Sequence, residues 1–104
     1  MKLTLERIKE AVVEAARQNG AICALLFGSY ARGTATHRSD VDVIFVEETD
    51  LPFLKRLDRY LDALIDRLHT PVEVLVYTPQ EFERMKEKRF VKQALEEGVI
   101  LYER

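Results

Sequence analysis

Residues 21–46 read AICALLFGSYARGTATHRSDVDVIFV, and this stretch decides the fold. It opens with an unbroken apolar run over 21–27, which predicts a strand covered on both faces. Gly28 ends that run, and the residues from Ser29 to Gly33 are enough for about one helical turn. A β-branched run over 40–46 predicts the next strand. The stretch therefore predicts two consecutive strands joined by a glycine turn and a polar loop.

Helix and strand patterns alternate along the rest of the chain. Apolar residues at helical spacing predict a helix that ends at Asn19-Gly20, and an apolar segment predicts a third strand at 72–77. A capping pattern at Thr78-Pro79-Gln80-Glu81 predicts one or two helices before Gly98, with a short strand at 99–102. The order α-β-α-β-α-β-α-β predicts an α/β (α+β) fold, a small mixed β-sheet covered by helices. We expect residues 1–104 to form a single domain.

A leucine repeat lies between the second and third predicted strands. Leucines occupy positions 54, 57, 61, 64 and 68, a spacing that also occurs in coiled-coil seams. The repeat covers barely two heptads and Leu51 and Ile65 broaden the stripe, so we expect one helix laid on the sheet. Pro52 fits the first turn of that helix, and Asp50 is a candidate cap.

Composition excludes several classes of protein. The chain has 104 residues, 47% hydrophobic and 33% charged, with a net charge of −2. Balanced charge without a broad basic field disfavours a nucleic-acid acceptor. Cys23 is the only cysteine in the sequence, which excludes an intrachain disulfide. Early charges in residues 1–7 and the absence of a long apolar run argue against secretion and membrane insertion, so we expect a cytoplasmic protein.

Asp40 and Asp42 carry the first chemical signal. Side chains two residues apart on a strand share a face, so both carboxylates project in the same direction. Two like charges on an apolar strand fit either a solvated strand start or a divalent cation, because Mg²⁺ binds carboxylate oxygens together with substrate phosphates.

Gly28-Ser29 carries the second signal. A helix that begins there directs unpaired N–H groups at a phosphate, although a plain turn with Ser29 as the helix cap is the common alternative. Ten residues separate Ser29 from Asp40. A phosphate cradle would thus face a carboxylate pair across adjacent strand ends, which fits a nucleoside triphosphate with its metal ion.

The pattern Gly-Ser-x-Ala-Arg-Gly over 28–33, followed by Ser-Asp-Val-Asp over 39–42, resembles the signature of the DNA polymerase β superfamily of nucleotidyltransferases. The short chain and the spacing resemble its minimal nucleotidyltransferase (MNT) subgroup. This resemblance covers residues 21–46 closely and the rest by element order.

The resemblance implies the remaining parts of an active site. A third acidic residue is expected on the next core strand, where Glu73 is the candidate, and together with Asp40 and Asp42 it would hold two Mg²⁺ ions. Glu73 would also accept the proton of the attacking hydroxyl, unless it is a strand-start residue that reaches solvent or an arginine. Gly28, Ser29 and Arg32 would bind the nucleotide, although Arg32 could equally pair with an acidic neighbour.

The implied activity is transfer of a nucleoside monophosphate, AMP from ATP, to a hydroxyl group. About 30 residues follow the catalytic strands, too few for an acceptor platform, so we expect that platform to come from another chain. The resemblance implies a small helical HEPN-type partner, with this chain as the antitoxin of a toxin–antitoxin pair. A homo-oligomer is compatible with the sequence. Two alternatives stay open: a binding module that neutralises a partner without turnover, and transfer to a small molecule or RNA.

Overall fold

A computed structural model describes residues 3–104; Met1 and Lys2, part of the charged N-terminal stretch, lie outside this range. The helices and strands follow each other as α1 Leu5–Asn19, β1 Cys23–Phe27, α2 Ser29–Arg32, β2 Val41–Val46, a 3-10 helix Phe53–Arg56, α3 Leu57–Leu68, β3 Val72–Tyr77, α4 Pro79–Met85, α5 Arg89–Glu97 and β4 Val99–Glu103. No helix within residues 3–104 is long and apolar enough to cross a membrane.

The four strands form one mixed sheet in the order β3-β2-β1-β4. Strand β1 is antiparallel to both β2 and β4, whereas β2 and β3 are parallel. The predicted fold class is therefore confirmed. Because β2 and β3 run in the same direction, α3 connects them as a crossover.

The two faces of the sheet carry different helices and separate apolar clusters. One face packs on α1 and α3 through buried residues that include Ile8, Phe45 and Leu64. The opposite face packs on α4 and α5, with Leu25, Ile44 and Val91 among its buried residues. Since side chains alternate along a strand, Asp42 lies on the α4–α5 face, two residues before Ile44.

Local sequence signals fix most element ends as predicted. Gly20 and Gly33 adopt left-handed conformations directly after α1 and α2. Thr78 and Glu81 form the predicted capping box at the start of α4. The 78–97 region contains two helices, and Gly98 follows the second.

The segment before α3 departs from the prediction. Residues 53–56 form a 3-10 helix with Pro52 at its cap position and no side-chain cap bond, so Asp50 is not the cap. Leu54 is 75% exposed, whereas Arg56 is only 5% exposed. The leucine repeat therefore begins outside the core. From residue 57 onward α3 is one helix packed against α1 and β3, as expected.

Arg56 explains the early 3-10 turn. Its Nε donates to the Leu51 carbonyl at 2.8 Å and its Nη1 to the Val76 carbonyl at 3.0 Å, while the guanidinium pairs with Glu81 at 2.6 Å. A buried guanidinium is tolerated only when its donors are bonded in this way. The side chain thus connects the α3 entry, the end of β3 and the start of α4.

A second buried charge lies at the end of β2. Glu47 is 5% exposed and accepts hydrogen bonds from the Arg59 guanidinium at 2.9 Å and from the Tyr60 hydroxyl. The Tyr60 ring stacks on Phe45 with centroids 4.1 Å apart. These contacts anchor α3 to the carboxyl end of β2, opposite the strand end that carries Asp42.

We expect Arg56→Ala to lower the free energy of unfolding by about 2–4 kcal/mol, because it leaves buried acceptors and one carboxylate unpaired. Lys55→Ala is the matched control, since Lys55 is exposed on the same 3-10 helix, and it should change stability by less than about 0.5 kcal/mol. Urea unfolding followed by circular dichroism measures both. Equal stability losses in the two variants would contradict this role of Arg56.

Candidate active site

The candidate site lies where three strands meet in one row. Asp42 of β2 is opposite Phe27 of β1 and beside Glu73 of β3 in the strand register. Gly28 and Ser29 follow Phe27 immediately, so the turn out of β1 lies at the same end of the sheet. The structure thus brings Gly28, Asp42 and Glu73 together from three separate segments.

Gly28 closely approaches the Asp42 carboxylate. A Cβ atom added to Gly28 would lie 2.2 Å from Asp42 Oδ2, far inside any van der Waals contact. The backbone of Gly28 also adopts φ 75° and ψ −158°, a conformation that is essentially restricted to glycine. Glycine is therefore required here twice over, for its backbone conformation and for the absent side chain.

Electrostatics single out Asp42 among the carboxylates. Partial burial raises the pKa of Asp42 to about 6, with further increases from the charges of Glu73 and Asp40 and from a hydrogen bond that the protonated group makes to Glu73. The nearby Arg32 guanidinium lowers this pKa by a smaller amount. Asp42 is thus held in a place where its own negative charge is unfavourable, which is typical of functional sites.

The two flanking acids are both exposed, although they differ in position. Glu73 is the second residue of β3 and is exposed, as in the alternative of a strand-start residue that reaches solvent, so this lone charge avoids the burial penalty. Asp40 precedes β2 at its open end. Within residues 3–104, Glu73 has no ion-pair partner, so the structure does not support the alternative of an arginine pair.

The donor set fits a hard divalent cation that still needs other ligands. All three side chains offer carboxylate oxygens, the ligands that Mg²⁺ takes together with water and substrate phosphates. A bound cation would also reverse the repulsion that raises the Asp42 pKa. In the described part of the chain, no three His, Cys, Asp or Glu side chains converge closely enough to hold a metal alone. A metal ion at these carboxylates would therefore need further ligands, such as water or phosphate oxygens.

Arg32 pairs with an acidic residue that the sequence could not identify. Its Nη1 lies 3.5 Å from Glu97 Oε2 at the end of α5, and both side chains are well exposed. An exposed pair of this length contributes little to stability. Arg32 could therefore leave Glu97 and bind a phosphate without a large loss of folding stability.

A cavity of about 210 Å³ adjoins Gly28 on the α4–α5 face. Its walls include Gly28 and Arg32 from the motif together with Phe90, Gln93 and Glu97 from α5. Phe90 packs edge-on against Phe27, with ring centroids 5.4 Å apart. Sequence reasoning missed these α5 residues, since nothing in their local pattern differs from an ordinary amphipathic helix.

A larger cavity, of about 340 Å³, is lined by Tyr30, His37 and His69 among others. Tyr30 packs against the cluster of the α1–α3 face, the opposite face from Asp42. His69 is the left-handed cap residue of α3, and His37 is exposed in the loop before β2.

Comparison with known proteins identifies the family of this chain. Residues 5–101 match the nucleotidyltransferase domain family. The chain belongs to this nucleotidyltransferase family. It is 32% identical over 78 residues to a candidate protein adenylyltransferase of Methanocaldococcus jannaschii, a match that covers 75% of each chain.

Solved structures of similar nucleotidyltransferases share the fold. A structure described as a minimal nucleotidyltransferase is 30% identical, with a TM-score of 0.70 and coverage of 93% of this chain and 95% of the other. A complex of a tri-AMPylated HEPN toxin with its MNT antitoxin, from Shewanella oneidensis, contains a chain that is 18% identical, with a TM-score of 0.66 over 95% of this chain and 72% of the other. The MNT resemblance seen in the sequence is confirmed.

We expect Asp42→Asn to stabilise the metal-free protein by about 1 kcal/mol at pH 7–8, because the folded state disfavours the ionised form. The folded pKa, about 6, lies above the ordinary value of 3.8, so wild-type stability should fall as pH rises from about 4 to 6. Below about pH 4, Asp42 is protonated in both the folded and the unfolded state, so the difference in stability between Asp42→Asn and wild type should vanish. Thermal unfolding across this pH range, with Asp62→Asn of α3 as an exposed control, measures the effect; a lower melting temperature for Asp42→Asn at pH 8 would disprove it.

We expect Gly28→Ala to cost about 3 kcal/mol of stability and to turn the Asp42 carboxylate away, because its Cβ collides with that group. Gly33→Ala is the matched control. Gly33 also has a positive φ, 78°, but an added Cβ meets nothing within 4 Å, so only about 1 kcal/mol is lost. Chemical unfolding gives both values. If Gly33→Ala lowers the free energy of unfolding as much as Gly28→Ala does, the close approach of Gly28 to Asp42 does not contribute to the difference.

Proposed function

We propose that this 104-residue chain, as a single domain, transfers AMP from ATP to a hydroxyl group of a partner protein in a Mg²⁺-dependent reaction. The observation that carries the proposal is the carboxylate row of Asp42 and Glu73 beside Gly28. A fixed negative cluster at a glycine turn suits a triphosphate that brings its own cations. It has no comparable use in a site for an uncharged ligand.

The nucleotide would lie between the glycine turn and α5. The backbone amides of Gly28 and Ser29 would bind the β- and γ-phosphates, and Arg32 would leave Glu97 to join them. The cavity beside Gly28 offers Gln93 as a further contact for the nucleotide. Its size, about 210 Å³, suffices for part of a nucleotide but not for a nucleotide and an acceptor together.

Asp40, Asp42 and Glu73 would hold two Mg²⁺ ions. When bound, Mg²⁺ neutralises phosphate oxygens and polarises the attacking hydroxyl. Asp42 then stays ionised, because a cation offsets the burial and repulsion that raise its pKa. Glu73, exposed at the sheet edge, is open to an incoming acceptor.

The reaction follows from these positions. The acceptor hydroxyl gives its proton to Glu73, its oxygen forms a bond to the α-phosphorus, and the bond to pyrophosphate breaks. The residues contribute mainly orientation and electrostatic stabilisation. Transfer requires an acceptor from outside the site, since no segment within residues 3–104 covers the exposed Glu73 and Asp40.

Protein as the acceptor class is supported by two of the similar proteins. One relative is a candidate protein adenylyltransferase, and one structural neighbour is an MNT antitoxin bound to an AMPylated HEPN toxin. We propose the same arrangement here: a small helical HEPN-type partner, modified on a hydroxyl side chain, with this chain as the antitoxin. Dependence on ATP fits the cytoplasmic location that the sequence predicts.

We expect α-phosphate-labelled ATP, added with Mg²⁺ to the protein captured with its partners from source lysate, to label a co-purifying protein. Asp42→Asn should reduce this labelling at least about 10²-fold, because a main electrostatic contact is lost. Asp62→Asn, a carboxylate removed from the exposed side of α3, should label as wild type does.

A partner captured without label by the wild-type protein, in the presence of any of the four nucleoside triphosphates, would contradict the proposal and support the binding module instead. Label found in RNA or in a small molecule, and in no protein, would identify the other alternative.

A further inference from the structure

Charge is unevenly distributed along this chain. Residues 84–92 read RMKEKRFVK, with five basic side chains and one acidic side chain, a net charge of +4. Because the whole chain carries −2, the other 95 residues carry −6. The basic segment forms the junction between α4 and α5, on the same face of the sheet as Asp42.

Most of these cations have no partner in the fold. Within the described residues, Lys86 pairs with Glu83 at 2.8 Å, but Lys88, Arg89 and Lys92 take part in no ion pair. All three side chains are exposed. We name Lys88, Arg89 and Lys92 the basic ridge. Unpaired like charges repel each other, so the fold gains nothing from the basic ridge.

The basic ridge is continuous with the nucleotide cavity. Arg89 and Lys92 line a shallow depression together with Gln93, Glu96 and Glu97. Gln93 and Glu97 also line the cavity that contains Gly28 and Arg32. A molecule lying along α5 can therefore contact the basic ridge while its end reaches the cavity beside Gly28.

An aromatic anchor lies within the same surface. Phe90 is 47% exposed, although its ring also packs against Phe27, which adjoins Asp42 in the strand row. Aromatic and arginine side chains supply much of the binding energy at protein interfaces. Phe90 beside Arg89 supplies both at the mouth of the cavity.

We propose that the basic ridge and Phe90 dock the acceptor, and that the acceptor is a protein segment with acidic residues beside its reactive hydroxyl. The inference rests on the proposed transfer to a protein hydroxyl. An acidic segment is attracted by the basic ridge and repelled by the carboxylates, which leaves its uncharged hydroxyl nearest Glu73. RNA fits less well, because its continuous phosphate charge would meet the −6 of the remaining surface.

The test uses two fluorescein-labelled copolymers, poly(Glu,Tyr) and poly(Lys,Tyr), which present the same hydroxyl with opposite charge. Binding is measured by fluorescence anisotropy at low salt, and AMP transfer by label from ATP with Mg²⁺ in excess. The test variant carries Lys88→Gln, Arg89→Gln and Lys92→Gln. The matched control carries Lys9→Gln, Arg17→Gln and Arg67→Gln, three exposed cations on α1 and α3, so both variants lose three positive charges.

Wild type should bind poly(Glu,Tyr) at least about tenfold more tightly than poly(Lys,Tyr), and the ridge variant should lose most of this preference. The control variant should stay within about twofold of wild type, and added salt should weaken the wild-type preference. ATP binding, followed by thermal shift, serves as the check that the ridge variant is folded.

Equal weakening in both variants would overturn the proposal, since net charge and not the basic ridge would then govern binding. Tighter, ridge-dependent binding of a single-stranded RNA oligonucleotide would overturn it as well. The two proposals can be told apart. Binding that depends on the basic ridge, without AMP transfer, supports the docking surface and contradicts the proposed enzyme activity. AMP transfer that is unchanged in the ridge variant supports the enzyme activity and contradicts the docking surface.

Discussion

The contact between the Gly28 backbone and the Asp42 carboxylate is the constraint on which the site depends. Three strands have to end in register for Phe27, Asp42 and Glu73 to lie in one row. The chain then turns out of β1 against a carboxylate that leaves no room for a Cβ atom. This contact contributes to the burial of Asp42 and lies beside the helical turn of residues 29–32. The conformation of the turn and the raised pKa of Asp42 are therefore connected.

The fold compensates for this unfavourable end of the sheet at its other end. Burial and neighbouring carboxylates penalise an ionised Asp42 at the open end of β2. At the opposite end, Glu47 and Arg56 are buried but fully bonded, and they join β2 and β3 to α3 and α4. The repulsion between carboxylates thus acts at one end of the sheet, where Glu73 lies beside Asp42 in the strand register and Asp40 directly precedes β2. A flexible loop would relieve the same repulsion by moving the charges apart.

Local signals made much of this structure predictable from sequence. Strand β1, the glycine turn, the capping box at Thr78 and the left-handed Gly33 each depend on residues within a few positions of one another. Strand periodicity predicted a shared face for Asp40 and Asp42, but β2 begins at Val41, so Asp40 directly precedes the strand and its place on that face stays a prediction. The position of Glu73 beside them came from resemblance to a family, because strand register is a long-range property.

The features that escaped prediction arise from contacts between distant segments. Nothing near Glu97 indicates that it meets Arg32, 65 residues earlier in the chain. The exposure of Glu73 depends on which part of β3 the helices cover: Val74, Val76 and Tyr77 of the same strand are buried, whereas its start is not. Arg56 bonds to the Leu51 and Val76 carbonyls and to Glu81, contacts that no local pattern around residue 56 indicates. Leu54 of the same 3-10 helix is exposed.

The charge pattern also constrains how a nucleotide can bind. A triphosphate approaching Asp42 and Glu73 meets negative charge, and the nearby Arg32 is already shared with Glu97. One guanidinium does not offset several phosphate charges beside a carboxylate row. The described carboxylates alone do not form a complete metal cluster, so under the proposed function phosphate oxygens would supply the missing metal ligands and the cation would neutralise the phosphates. In that reaction each would bind more favourably when the other is present, and any proton still on Asp42 would be released in the same step.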